Sequence, residues 1–241
     1  MELSKRLAAV AGLVSRGNVV CDVGCDHGYV PIYLVQAHIS PRVIAMDVRT
    51  GPLARAKEHI RMYGLEDYIE TRLSDGLDAL DFGEADTLIL AGMGGRLMEG
   101  ILTRGLDKVR GMKELILQPQ SEIRSFRGFL RREGLEIAEE DMVLEDGKFY
   151  PMMRVIPGVT GKQQREPDEE ENVLRDVYGG FLLEARHPVL KQYLDFQKEK
   201  LEALALELEA AAGNSGKGRS RLEEVKQELR WNELARDWYN R

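Results

Sequence analysis

Short runs of β-branched and aliphatic residues alternate with longer amphipathic stretches over the first two thirds of the chain. This alternation is typical of βαβ units, in which helices cover a mostly parallel sheet. One stretch, residues 51–64, predicts a helix with Pro52 in its first turn and Gly64 at its end. The candidate strands are NVVCDV (18–23), RVIAMDV (42–48), YIETRLS (68–74), ADTLILAG (85–92) and KELILQPQ (113–120).

Two further strands and a basic helix follow the fifth candidate strand. The segment 135–156 predicts an antiparallel pair of strands joined at Asp146–Gly147. Before it, SEIRSFRGFLRREG (121–134) predicts a helix with Ser121 as its N-cap. Arg124, Arg127 and Arg131 share one face of this helix, which is either a solvated basic surface or a contact for phosphates.

A polar segment with prolines and a run of acids separates this α/β region from a helical tail. We therefore expect a domain over 1–157, a linker over 158–171 and a helical hairpin over 172–241. Leucines at coiled-coil spacing precede a GNSGKG break (213–218), and a second apolar set follows it. The two sets are Leu190, Leu194, Gln197, Leu201, Leu204 and Leu208, and Leu222, Val225, Leu229, Leu234 and Trp238.

The composition is that of an ordinary folded protein. Among 241 residues, 43% are hydrophobic and 31% are charged, with a formal net charge of -7. There is no long apolar run, and the first residues lack the apolar core of a signal peptide, so we expect a cytoplasmic protein without a membrane segment. Cys21 and Cys25 are the only cysteines and the histidines are scattered, so neither a disulfide framework nor a metal site is expected.

A glycine loop follows the first strand in VCDVGCDHGYV (20–30). Gly24 permits a sharp turn, and Gly28 lets the next segment approach a ligand closely. Dinucleotide loops have the spacing G-x-G-x-x-G, because a pyrophosphate must lie against bare backbone at a helix N-terminus. Asp22 and Asp26 would repel a pyrophosphate but would suit an ammonium group. S-adenosylmethionine carries an ammonium, a sulfonium and no phosphate, so these carboxylates are consistent with its methionine end.

Later strand ends carry residues that fit the rest of this cofactor. Asp47, with its neighbour Val48, follows the second strand about twenty residues after the loop, where an acid accepts hydrogen bonds from ribose hydroxyls. Asp75, beside Gly76, follows the third strand and can accept the amino group of an adenine. At the end of the fourth strand, the backbone is expected to be accessible to the cofactor at Ala91, Gly92 and Met93. It is expected to be accessible to the substrate at Gly94 and Gly95. Residues in this order fit a ligand bound across the switch point of an open α/β sheet.

The chain resembles the bacterial tRNA adenine-N1 methyltransferases that modify position 22 (TrmK type), which are Rossmann-like class I methyltransferases. The resemblance covers the whole chain and is carried by LSKRL, DVGCDHGYVP, AGMGG, LILQPQ, EDGKFY and the helical tail. It implies a seven-stranded Rossmann-like α/β domain with a C-terminal antiparallel helical hairpin (coiled coil). S-adenosylmethionine is the implied cofactor and tRNA the implied substrate. Asp26, which replaces the usual middle glycine, is then a functional position.

The expected catalytic residues are Asp26, His27 and Tyr29. Asp26 would hold the adenine amino group and stabilise positive charge on the ring. His27 is either part of this pocket or a solvent-facing loop residue, and Tyr29 either stacks on the base or packs on the sheet. Asp22 either contacts the cofactor or ties down its own loop. The expected substrate-binding residues are Gly94, Gly95, Gln118, Pro119, Arg124, Arg127 and Arg131.

The expected reaction is methyl transfer to N1 of an adenine in tRNA. The in-plane lone pair of N1 can attack the methyl group directly, and the base must be unpaired or unstacked because N1 lies on its Watson–Crick edge. The alternatives are a methyltransferase for a small molecule and a non-catalytic RNA-binding module with a cofactor pocket. The tail most simply buries one helix against the other, with RNA contact or self-association as alternatives. The sequence does not determine the oligomeric state, for which a monomer is the working expectation.

Overall fold

The computed structural model describes residues 1–158, 169–211 and 216–240. The chain divides into two compact units, Met1–Arg165 and Glu166–Arg241. This division falls within the segment 158–171 expected to be a linker, of which residues 159–168 lie outside the described part. A helix begins at Glu169, so the last residues of the expected linker are helical instead. Within the described ranges, no helix combines the length and apolar character needed to cross a membrane.

The first unit is built on one seven-stranded sheet. Its strands are β1 (Val20–Val23), β2 (Val43–Asp47), β3 (Ile69–Leu73), β4 (Thr87–Gly94), β5 (Glu114–Ser121), β6 (Leu135–Glu145) and β7 (Lys148–Pro157). Their order across the sheet is β3-β2-β1-β4-β5-β7-β6. The first five are parallel, and β7 runs antiparallel to both β5 and β6. The predicted strands and the turn at Asp146–Gly147 are confirmed, and both turn residues have the positive φ that a tight hairpin requires.

Helices flank the sheet and form the second unit. In the first unit they are α1 (Lys5–Gly12), α2 (Tyr29–Gln36), α3 (Thr50–Met62), α4 (Gly95–Arg104), α5 (Leu106–Arg110) and α6 (Ile123–Arg132). In the second they are α7 (Glu169–Tyr178), α8 (Gly180–Glu184), α9 (Pro188–Ala211) and α10 (Gly216–Asp237). Helix α3 confirms the helix predicted over residues 51–64, and Gly64 after it has a φ of 64°.

Each face of the sheet has its own hydrophobic core, because alternate residues of a strand point to opposite sides. On one face, α4, α5 and α6 pack against strand residues that include Cys21 and Leu115. On the other, α1, α2 and α3 pack against strand residues that include Val20 and Ile116. The sheet is therefore the middle layer of three, and its central strands are buried on both sides.

Helix α6 begins differently from the prediction. Ser121 is the last residue of β5, and Glu122 occupies the N-cap position with a left-handed φ of 52°. The Ser121 hydroxyl donates to the Glu122 carboxylate at 2.7 Å and does not cap the helix. The predicted N-cap at Ser121 was therefore wrong, because the strand continues through this residue.

The second unit contains the expected antiparallel hairpin, preceded by α7 and α8. Helices α9 and α10 pack through a cluster that includes Leu201 and Val225. Ion pairs join Asp195 with Arg236 and Glu209 with Lys226, so the start of α9 lies beside the end of α10. Of the expected break at 213–218, residues 213–215 lie outside the described part, and helix α10 already includes 216–218.

Gln197, which interrupts the leucine pattern of α9, belongs to a polar network. Its side-chain oxygen accepts hydrogen bonds from the Tyr178 hydroxyl at 3.0 Å and from Asn232 Nδ2 at 3.2 Å. Asn232 is fully buried and also donates to the backbone oxygen of Leu194 at 2.9 Å. Such buried polar contacts favour one register of packed helices over another.

Candidate active site

A cavity of about 450 Å³ opens at the carboxyl ends of the central parallel strands. It lies at the switch point between β1 and β4, where the strand order reverses and open α/β sheets bind their ligands. The predicted site residues that line it are Asp22, Gly24, Asp26, His27, Tyr29, Asp47, Val48, Asp75, Gly76, Ala91, Gly92 and Met93. The structure thus brings together the three predicted catalytic residues and all but one of the predicted cofactor residues.

The loop between β1 and α2 is tied to the neighbouring strand. The amides of Gly24 and Cys25 both donate to the Met46 carbonyl, at 2.8 and 3.0 Å. Gly28, the predicted cofactor residue that does not line the cavity, has a φ of 74°. A Cβ at Gly28 would lie 3.2 Å from the Ala56 Cβ, so this glycine lets α2 start close against α3.

Asp26 adopts a left-handed backbone conformation, with a φ of 47°. Aspartate and asparagine tolerate this region better than most residues other than glycine. The aspartate therefore meets a backbone requirement that glycine would also meet, and it adds a carboxylate. Its side chain is 59% exposed at the cavity, with Oδ2 3.7 Å from His27 Nε2.

Three aromatic rings stack beside Asp26. The rings of His27, Tyr29 and His59 have centroids 5.4 to 5.8 Å apart and lie within 22° of parallel. His59 Nδ1 lies 2.9 Å from the His27 carbonyl oxygen, which can only accept, so this nitrogen carries the proton. Tyr29 is 40% exposed and lines the cavity, so part of its ring is accessible to a ligand. Sequence reasoning missed His59, which lies on α3.

Asp22 and Asp47 are buried carboxylates at the ends of β1 and β2. Burial, together with the nearby Asp47 carboxylate, raises the pKa of Asp22 to about 7. Among the described residues Asp22 accepts no hydrogen bond, so it does not tie down its own loop. Asp47 Oδ1 accepts the Arg49 amide at 2.8 Å, and its second oxygen is available to ribose hydroxyls.

Asp75 lies on the loop after β3 and is exposed. Its Oδ1 is 2.9 Å from Arg104 Nη2, so the carboxylate expected to hold the adenine amino group also has a protein partner. The adjacent Gly76 has a φ of 58° and lines the same part of the cavity.

The glycines that end β4 divide into two groups. Gly92 lines the cavity, whereas Gly94 and Gly95, predicted to bind substrate, do not. A Cβ at Gly95 would lie 2.7 Å from the Ser121 carbonyl oxygen, so this glycine is needed for close packing between α4 and the end of β5. For Gly95 and its neighbour, the structure supports a packing role.

The predicted substrate residues of β5 are also placed differently. Gln118 and Pro119 are buried beneath the cavity, and Gln120 is the residue of this strand that lines it. The Gln118 side-chain oxygen accepts hydrogen bonds from the Gly92 amide at 3.1 Å and from Arg6 Nη1 at 3.0 Å. Gln118 therefore supports two groups that line the cavity.

Arg127 does not belong to an exposed basic face. Its side chain is buried, and Nε donates to Glu140 Oε1 at 2.8 Å. Arg124 and Arg131 are exposed as predicted. The prediction for Arg127 was wrong because its position on α6 turns toward β6, where a buried carboxylate receives it.

Helix α1 contributes a cavity residue that sequence reasoning did not identify. Arg6 lines the cavity and lies over the Tyr150 ring, with its guanidinium carbon 5.5 Å from the ring centroid. The only signal in the sequence was its place in the LSKRL segment. In the described ranges, no group of three or more histidine, cysteine, aspartate or glutamate residues is arranged to hold a metal ion.

Five parallel strands with an antiparallel β7–β6 pair, and an acid-lined cavity at their switch point, define a Rossmann-like methyltransferase. Residues 3–153 match the methyltransferase domain family. The tRNA (adenine(22)-N(1))-methyltransferase of Bacillus subtilis is 40% identical over 153 residues, which span 64% of each chain. The crystal structure of the B. subtilis m1A22 tRNA methyltransferase TrmK matches with a TM-score of 0.83 and 29% identity, covering 97% of this chain and 98% of that one.

A Streptococcus pneumoniae relative in complex with S-adenosyl-L-methionine matches with a TM-score of 0.82 and 31% identity, covering 97% of this chain and 99% of that one. The chain belongs to the bacterial tRNA (adenine-22-N1)-methyltransferase family.

Proposed function

We propose that this protein transfers a methyl group from S-adenosylmethionine to N1 of an adenine in tRNA, at position 22 as in its family. The observation that carries the proposal is the cavity, which gathers four aspartates and an exposed aromatic ring at the switch point of the sheet. Carboxylates favour a cationic ligand, and an exposed ring favours a base.

The chemistry of the cavity fits this cofactor residue by residue. Asp22 is a buried carboxylate without a hydrogen-bond donor among the described residues, so it suits the ammonium group. Asp47 has one oxygen available for the ribose hydroxyls. Val48 follows it with 60% of its surface exposed and offers an apolar contact to the adenine ring.

The protein residues at the cavity mouth then position the target base. The cofactor supplies a methyl group on a sulfonium, which the in-plane lone pair of adenine N1 accepts. Asp26 holds the adenine N6 amino group and stabilises the positive charge that develops on the ring. Tyr29, supported by His27 and His59, stacks on the base and excludes water. N1 of neutral adenine has no proton to lose, so the transfer requires no general base.

The test is incubation of the protein with labelled S-adenosylmethionine and an unmodified tRNA transcript, followed by nucleoside mapping. We expect labelled 1-methyladenosine at position 22 and no product from a matched transcript with guanine at that position. A protein that binds the transcript without transferring label would instead be a non-catalytic RNA-binding module. Label in a small molecule but not in RNA would also contradict the proposal.

A further inference from the structure

Gln120 is the residue of β5 that lines the cavity, and its side chain is exposed. A Cβ at Gly92 would lie 3.7 Å from Gln120 Nε2, so the amide extends to the open backbone at the end of β4. Within the described ranges, this side-chain amide forms no hydrogen bond. A primary amide carries a donor and an acceptor side by side. The cavity wall therefore presents a paired donor and acceptor that the described protein groups leave free.

A register irregularity between β4 and β5 takes Gln120 out of the regular strand pairing. Met93 of β4 lies opposite Pro119 of β5. The next residue of β4, Gly94, lies opposite Ser121, so Gln120 has no partner residue on β4. Irregularities of this kind change the direction of a side chain and occur next to active sites. The strand is thus built to turn Gln120 away from the position that regular pairing would give it.

The residues that follow Gln120 are fixed against α4. Glu122 has a left-handed φ of 52°, a strained conformation for this residue type, and such strain is concentrated at ligand sites. Its carboxylate accepts the Ser121 hydroxyl at 2.7 Å and lies 3.2 Å from Arg96 Nε of α4. Gly95 lets α4 approach the Ser121 carbonyl closely. The backbone that carries Gln120 is therefore held in one place beside the cavity.

The order of the strands places Gln120 away from the proposed cofactor residues. Asp75, Asp47 and Asp22 follow or end β3, β2 and β1, which are consecutive strands from the edge of the sheet to its centre. Gln120 belongs to β5, which lies beyond β4 on the other side of β1. A cofactor bound along β3, β2 and β1 leaves the part of the cavity at β4 and β5 free. A second ligand that enters there meets Gln120.

The free amide is complementary to one edge of adenine. On this edge N7 is an acceptor and lies beside a hydrogen of the N6 amino group, and a glutamine amide binds both at once. The edge points away from N1, so a contact there leaves N1 free to face the methyl group. Guanine has an oxygen in place of the amino group, so the glutamine oxygen would face a second acceptor without a hydrogen bond.

We propose that Gln120 binds N7 and the N6 amino group of the target adenine, and that it thereby selects and orients the base. This inference rests on the proposed function, which makes adenine the substrate. The amino group has two hydrogens, so Gln120 accepts the one beside N7 and Asp26 accepts the one beside N1. Tyr29 covers a face of the ring, so the three side chains bind different parts of the base.

The test uses two tRNA substrates that differ only at the target base, which is adenine in one and 7-deazaadenine in the other. The analogue keeps N1 and the amino group but has a C–H group in place of N7, so it cannot accept a hydrogen bond from Gln120. The replacement also changes the reactivity of N1, and Gln120→Ala measures that intrinsic effect because it makes neither contact. Relative to Gln120→Ala, the wild-type protein should prefer adenine by roughly five-fold or more in kcat/KM, as expected for one hydrogen bond.

Gln36→Ala is the matched control, because Gln36 is an exposed glutamine of α2 that does not line the cavity. This variant should keep the wild-type preference for adenine. Calorimetry with S-adenosylmethionine, without RNA, should give the same cofactor affinity for Gln120→Ala and the wild-type protein.

The same ratio of kcat/KM for the two substrates in the wild-type protein and in Gln120→Ala would overturn the inference. So would a loss of cofactor affinity in Gln120→Ala, which would assign the amide to the cofactor. If Gln120→Ala does not fold, Gln120→Glu provides the comparison, since it keeps an acceptor for the amino group but has no donor for N7 and should lose the preference. A wild-type protein that methylates neither substrate would contradict the proposed function itself.

Discussion

Asp26 combines a backbone requirement with a chemical one. Its backbone has a left-handed φ of 47°, a conformation that most residue types adopt only with strain. Its exposed carboxylate faces the cavity. Alanine at this position would change backbone strain and charge together. Asparagine tolerates the same conformation and removes only the charge, so it is the informative substitution.

We expect Asp26→Asn to leave cofactor affinity near that of the wild type and to slow methylation by roughly ten-fold or more, because charge stabilisation on the base is lost. Calorimetry measures the affinity, and single-turnover kinetics at saturating cofactor measures the chemical step. An unchanged single-turnover rate would show that the carboxylate has no catalytic part. A collapse of cofactor affinity with normal chemistry at saturation would place Asp26 in the cofactor site.

The raised pKa of Asp22 has opposite effects on stability and on binding. In the folded protein the pKa is about 7, against an ordinary value of 3.8, so between these pH values the folded state binds more protons than the unfolded state. Stability therefore falls as pH rises through this window. Binding of an ammonium group requires the ionised carboxylate, so cofactor affinity should rise through pH 7.

We expect Asp22→Asn to stabilise the ligand-free protein at pH 8 by on the order of 1 kcal/mol or more, with a smaller gain at pH 5. The same substitution should weaken cofactor binding and remove its rise near pH 7. Urea unfolding at both pH values and calorimetry across the range measure the two effects. A wild-type affinity that is flat between pH 6 and 8 would rule out the proposed contact between Asp22 and the ammonium group.

Helix α6 shows how one amphipathic element divides basic residues between stability and surface. Arg127 is buried against Glu140, whereas Arg124 and Arg131 are exposed on the same helix. Losing one partner of a buried ion pair leaves the other charge uncompensated, which costs about 3–5 kcal/mol. Exposed arginines contribute little to stability but can contact RNA phosphates.

The expected result is that Arg127→Met lowers the free energy of unfolding by about 3–5 kcal/mol. Arg124→Gln and Arg131→Gln should change it by about 0.5 kcal/mol or less and weaken tRNA binding, most clearly at low salt. Denaturant unfolding and filter binding at two salt concentrations separate the effects. If both surface variants bind tRNA with the affinity of the wild-type protein, α6 is not part of the RNA-binding surface.

Local patterns were sufficient to predict the strands, the hairpin turn and the loop from Gly24 to Gly28, because each depends on neighbouring residues. Whether a residue near the end of a strand is buried or lines the cavity depends on how far the strand runs before it leaves the core. Gln118 was predicted to contact substrate but is still inside the core, and Gln120, two residues further on, lines the cavity. Arg6 is brought to Gln118 across 112 positions of sequence, a contact that no local pattern contains.

At the scale of the whole molecule, the cavity and the helical tail belong to different compact units. Every residue that lines the cavity lies in Met1–Arg165, while α7 to α10 form the second unit. The first unit has its own two-sided core, so it should hold the cofactor without the second. The tail is then available for the larger substrate.

A chain ending at Gly158 should remain folded and bind the cofactor with near wild-type affinity, since it retains the sheet and the cavity. Its KM for tRNA should rise by roughly ten-fold or more if the tail contacts RNA. Circular dichroism measures folding, calorimetry measures the affinity for the cofactor, and steady-state kinetics measures the KM for tRNA. Methylation with an unaltered KM would show that α7 to α10 serve another purpose.

The cavity wall is assembled from α1, α2 and α4, from the ends of β1, β2, β4 and β5, and from the loop after β3. These segments are distant in sequence and come together only when the sheet is complete. A ligand that touches all of them binds the folded chain and not the unfolded one. Binding in the cavity therefore stabilises the folded state of the entire unit. At a free ligand concentration of one hundred times Kd this linkage adds about 2.7 kcal/mol of stability. The cofactor pool of the cell would then influence how long the protein survives proteolysis as well as how fast it works.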